Sequence, residues 1–115
     1  MNEPDDLFVE YAQAALDSLP ADLRSQMSNV DIVIEDDAPP RSRLLGLYEG
    51  VPLTSRTSYY AGVLPDKITL FRRPLERLAG GDPERLRDEV RRVVLHEIAH
   101  HFGISDARLI EIDRY

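Results

Sequence analysis

All three histidines of the chain fall between positions 96 and 101, in the run Val93-Val94-Leu95-His96-Glu97-Ile98-Ala99-His100-His101-Phe102-Gly103-Ile104-Ser105-Asp106. On an α-helix each residue advances about 100° and about 1.5 Å, so His96 and His100 stand about 40° apart and one turn along. Their imidazoles can converge on one ion. Glu97 is one step further round, where a carboxylate reaches a water on that ion more readily than the ion itself, and this is where a general base has to stand. The chemistry that these types and spacings point to is hydrolysis by metal-activated water. At average residue usage His-Glu-x-x-His arises by chance in about three of a thousand chains of this length, and requiring Gly103 and Asp106 as well lowers that by a further factor on the order of a hundred.

A catalytic zinc takes three protein ligands and keeps a position for water. The chain has no cysteine and no histidine outside this run, so any metal must use His, Asp or Glu, and a carboxylate is favoured as the third ligand. Gly103 sits where a left-handed residue ends a helix, and a reversal there folds the chain back so that a side chain three residues later can meet the ion. Asp106 is that side chain. It also suits the N-cap of a following helix, a role that aspartate often fills. Glu111 and Asp113 are the other acidic residues downstream. His101 projects about 100° from His100 around the helix and suits a supporting or solvent-facing place. Tyr59 and Tyr60 are candidate hydrogen-bond donors to an oxyanion, or packing residues.

The run from His96 to Asp106 resembles the HExxHxxGxxD signature of aspzincin-type metallopeptidases, and the sequence as a whole is similar to the small bacterial zincin-like family called mini-zincins. The similarity covers most of the chain, including the Ile68-Thr69-Leu70-Phe71-Arg72 strand, and the signature is its specific part. It implies a minimal zincin core with His96, His100 and Asp106 as zinc ligands and Glu97 as general base. Two departures from larger zincins bear on substrate binding. Nine residues follow Asp106, so a shallow cleft without a second wall is expected, and the only methionines, Met1 and Met27, lie far upstream, so no Met-turn underlies the metal.

The elements that must position these groups can be read from periodicity. Phe8, Tyr11, Ala12, Ala15, Leu16 and Leu19 form an amphipathic stripe over Pro4 to Leu19, which Pro20 stops. A helical turn from Ala21 to Met27 precedes a strand over Val30 to Glu35, and Leu44 to Glu49 reads as a second strand. Lys67 to Phe71 alternates and is rich in β-branched and aromatic residues, so it is the third; it is also the strand nominated to hold an extended peptide, with an interior structural place as the alternative. Pro74 to Ala79 forms a turn or two of helix that Gly80-Gly81 breaks. Asp82 as N-cap and Pro83 at the first position open the clearest helix, which runs to Phe102 with Arg85–Glu89 and Asp88–Arg92 pairs expected on its solvated face. A last helix starts at Ser105 or Asp106. The fold class expected is α+β, a small mixed sheet flanked by helices, as one domain over residues 1–115.

Hydrophobic residues at 43% and charged residues at 30% describe an ordinary globular chain. The net charge of -7 repels phosphate backbones and anionic lipid, which argues against nucleic acid and membrane as partners. The start of the chain is acidic and lacks a signal-peptide pattern, so a cytoplasmic protein is expected. The function expected is a zinc-dependent hydrolase of peptide bonds in short or flexible peptides or unfolded protein. The alternative is a catalytically inactive zinc-binding module that acts through a protein partner.

Overall fold

The structure is a computed structural model that describes residues 3–26, 29–50 and 66–113. Helix α1 (Glu3–Asp17) buries Phe8, Ala12, Ala15 and Leu16, the stripe expected from their spacing, and the two alanines let it lie close against its neighbours. Helix α2 (Ala21–Gln26) follows Pro20. Strand β1 (Val30–Glu35) pairs in parallel with β3 (Asp66–Phe71), and β2 (Gly46–Glu49) pairs antiparallel on the other side of β3, giving the order β1-β3-β2. The second strand begins two residues later than its sequence suggests, although the Leu45 carbonyl still accepts from the Phe71 amide at 3.0 Å.

The sheet order corrects one expectation. The strand at Lys67 to Phe71 lies between two others, so its main-chain groups are engaged on both sides and it cannot add a peptide. The interior place is the one it fills, with Ile68, Thr69, Leu70 and Phe71 all buried.

Helix α3 (Arg72–Ala79) leaves β3 directly. It starts two residues before Pro74, because a proline in the first turn lacks only an amide that would have no partner there. The Arg72 guanidinium donates to Asp36 Oδ1 from Nε at 3.0 Å and Nη2 at 2.7 Å, tying the start of α3 to the end of β1. That hydrogen bond and the charge beside it hold the Asp36 carboxyl below its ordinary range.

Helix α4 (Pro83–Phe102) is capped as its sequence indicates: Asp82 accepts from the Glu84 amide at 3.0 Å, and Gly103 closes the helix in the left-handed region at φ 66°. The Gly103 and Ile104 amides both donate to the Ala99 carbonyl. Val90, Val94, Leu95 and Ile98 of α4 meet Phe8, Ile68, Leu70 and Leu75 in the core. One face departs from expectation. Arg92 donates to Glu89 rather than to Asp88, and Glu89 is buried rather than solvated. Helix α5 (Asp106–Asp113) packs back on α4 and buries Ile112. Among the described residues no helix is long and apolar enough to cross a membrane.

Gly46 sets how closely β2 approaches α4. A Cβ there would stand 2.7 Å from Val93 Cγ1 and 3.0 Å from the Thr69 carbonyl oxygen, and the second of these is backbone that cannot swing aside. Gly46→Ala is therefore expected to destabilise the fold by about 1–3 kcal/mol, the usual cost of overpacking, read as a lowered midpoint in denaturant at unchanged slope.

Candidate metal centre

The face of α4 that carries His96 and His100 is set by helix spacing alone. His96 and His100 are both exposed on it, the His100 side chain by 81%, so both imidazoles are accessible to an ion from solvent. Glu97 is treated differently by the fold. Its side chain is only 20% exposed, its Oε1 accepts from the Tyr48 main-chain amide at 3.2 Å, and its Oε2 stands 3.9 Å from His100 Nδ1. One carboxylate oxygen is thus anchored to β2 and the other faces the histidine.

Tyr48 is the residue that sequence reasoning missed. It lies 49 positions from Glu97 and contributes through its backbone, for which no side-chain pattern exists. Its own position is fixed from three directions: the hydroxyl bonds Asp66 Oδ2 at 2.6 Å, the ring lies against His101 with centroids 4.2 Å apart, and Phe102 meets its edge-on side at 5.9 Å. His101, although exposed, thus takes a supporting place against Tyr48. It also lies against Gly50, where a Cβ would come within 2.7 Å of His101 Cε1.

Asp106 opens α5 as its first residue. The cap is Ser105, whose hydroxyl accepts from the Arg108 amide at 3.2 Å and whose carbonyl accepts from the Leu109 amide at 2.9 Å. The alternative role for Asp106 has thus gone to its neighbour. The Asp106 side chain itself lies outside the described residues, as does that of Asp113, and among the described residues no group of three or more metal-binding side chains is assembled. Glu111 turns to Arg108, 3.6 Å away. Tyr59 and Tyr60 lie outside the described residues.

Two accessible imidazoles at i and i+4 are donors of the kind zinc takes, with a third protein donor not shown among the described residues. Beside the pair a groove of about 330 Å³ opens between the segment leading into β2, α3 and α4, with Leu44, Leu78, Glu89, Val93 and His96 among its lining residues.

Comparison with curated proteins finds no match. The family model of zincin-like metallopeptidases matches residues 27–115, a span that takes in the sheet, α3, α5 and the whole of α4 with His96, Glu97 and His100. The chain belongs to the zincin-like metallopeptidase family.

Proposed function

We propose that this chain is a zinc-dependent hydrolase of peptide bonds, acting on short or flexible substrates, with His96, His100 and Asp106 as ligands and Glu97 as general base. The observation that carries the reading is the Glu97 carboxylate, held by the Tyr48 amide at one oxygen and turned towards His100 with the other. A zinc site that only stabilises a fold has no use for an anchored carboxylate that is not a ligand. When bound, the ion supplies Lewis-acid polarisation of the scissile carbonyl and acidifies water.

The chain's own groups do the rest. Glu97 takes the proton of the attacking water at Oε2 and passes it to the leaving amine, while the bond to Tyr48 keeps the carboxylate from swinging away. Strand β2 supports substrate placement. Leu45 faces β3 through its carbonyl and Tyr48 turns its amide to Glu97, so the alternation of an antiparallel pair directs the groups of Gly46 and Tyr48 away from β3. An extended peptide on that side would meet the main chain of Gly46 rather than the Tyr48 amide, which Glu97 already holds.

The test is metal analysis of the purified protein with digestion of a peptide library by the zinc-loaded and the chelated forms. One zinc per chain with zinc-dependent cleavage supports the peptidase; one zinc without cleavage favours a binding module that recruits a protein partner. Asp106 has a separate check. Asp106→Ala is expected to weaken zinc binding at least about tenfold with α5 intact, since Ser105 supplies the cap, whereas Ser105→Ala lowers stability by about 1 kcal/mol and leaves zinc affinity unchanged. Unchanged zinc affinity in Asp106→Ala would remove it from the ligand set.

A further inference from the structure

We propose that Glu89 determines substrate specificity, receiving the Lys or Arg side chain of a residue next to the scissile bond. The inference rests on the peptidase reading for its context and on the groove for its content.

Glu89 is 93% buried in the sense that only 7% of it is exposed, yet it lines the open groove beside His96. Arg92 donates to its Oε1. Its Oε2 is buried and has no hydrogen-bond partner among the described residues. A carboxylate oxygen removed from water and left without a donor is costly, and buried polar atoms in folded proteins are otherwise nearly always satisfied. The side chain that carries this acceptor lines a cavity, so rotation of the carboxylate can present it to a donor that a ligand brings.

Position on the helix fits that role. Seven residues separate Glu89 from His96, which on an α-helix is about 20° short of two full turns and about 10 Å along the axis. The carboxylate thus stands on the ligand face, two turns upstream of the metal position. Successive residues of an extended peptide advance about 3.3 Å, so a long side chain from a residue at or beside the scissile bond spans the separation and a short one does not. The walls suit the same occupant. Leu44 and Leu78, both exposed to solvent at 39%, and Val93 offer apolar surface to the methylene stem of a Lys or Arg, whose charged head then meets the carboxylate.

Arg43 and Arg92 also line the groove and offer the opposite preference, for an acidic side chain. Arg92 is already engaged by Glu89 with its side chain 56% exposed, so water satisfies it at little cost, whereas Glu89 Oε2 is cut off from water. The net charge of -7 further attracts basic peptides.

The experiment uses a peptide series identical except for Lys, Arg, Leu or Glu at each position flanking the scissile bond, with cleavage sites mapped by mass spectrometry. For the zinc-loaded wild type, kcat/KM for a Lys or Arg peptide is expected to exceed that for the Leu peptide at least about tenfold, and Glu89→Gln to collapse that ratio towards one. Arg92→Gln, which alters an exposed side chain and removes the competing donor, raises the ratio. Binding of the same peptides to the Glu97→Gln protein, by calorimetry and with and without Glu89→Gln, reads the subsite without turnover. A Glu89-dependent preference for Lys in binding, with no cleavage by wild type, leaves the subsite standing and removes the peptidase reading. Cleavage with no basic preference, with a preference for Glu, or with a Lys preference that survives Glu89→Gln overturns the subsite and leaves the peptidase.

Discussion

Glu97→Gln is expected to keep the fold and one zinc per chain while lowering kcat for peptide hydrolysis by about a hundredfold or more, the range that a positioned general base contributes. The substitution is informative because the two oxygens of Glu97 have separable places. Its Oε1 accepts the Tyr48 amide, and a glutamine carbonyl can do the same, so the link between α4 and β2 persists. Its Oε2, 3.9 Å from His100 Nδ1, becomes an amide nitrogen that cannot accept a proton. Glu97→Ala removes both oxygens at once. It leaves the Tyr48 amide without that acceptor, so it should lose about 1–3 kcal/mol of stability in addition to activity. Activity retained by Glu97→Gln, at wild-type zinc content, would exclude Glu97 as the base; equal stability of the Gln and Ala variants would show that the Tyr48 contact contributes nothing to the fold.

Local features of this protein were legible because they are set by local chemistry. The spacing of His96 and His100, the Asp82 cap, Pro83 at the first turn and the left-handed Gly103 follow from residues within a few positions of one another, and the structure has them where the sequence puts them. The features that escaped are non-local. Lys67 to Phe71 has the pattern of a strand whether it lies at an edge or in the centre, and only the pairing of β1 and β2 on its two sides decides the matter. Glu89 offers ion-pair partners at several helical spacings, and these read as a solvated face until α3 and the segment before β2 are seen to line a groove with it. Ser105 and Asp106 both cap helices well, so their order was settled by a single residue of register. Tyr48 reaches Glu97 through a peptide amide, a group that every non-proline residue carries and that no composition reveals.

The three histidines should separate cleanly. His96→Ala and His100→Ala are each expected to abolish tight zinc binding, whereas His101→Ala retains it. With His96, His100 and Asp106 as the proposed ligands, loss of one imidazole leaves two, too few to compete with water for the ion. Both imidazoles are exposed, so the metal-free variants should unfold within about 0.5 kcal/mol of the metal-free wild type. The contrast appears on adding zinc. An ion that binds only the folded state stabilises it by about 2.7 kcal/mol at a hundred times its Kd, so the wild-type Tm rises with zinc and those of His96→Ala and His100→Ala do not. His101→Ala behaves the other way round. It removes the ring whose centroid lies 4.2 Å from that of Tyr48, lowering stability with or without metal, while the rise in Tm on zinc addition persists. Full zinc stoichiometry in either ligand variant, or loss of the zinc response in His101→Ala, would mean that the ion sits on another face of α4 than the one the i,i+4 pair defines.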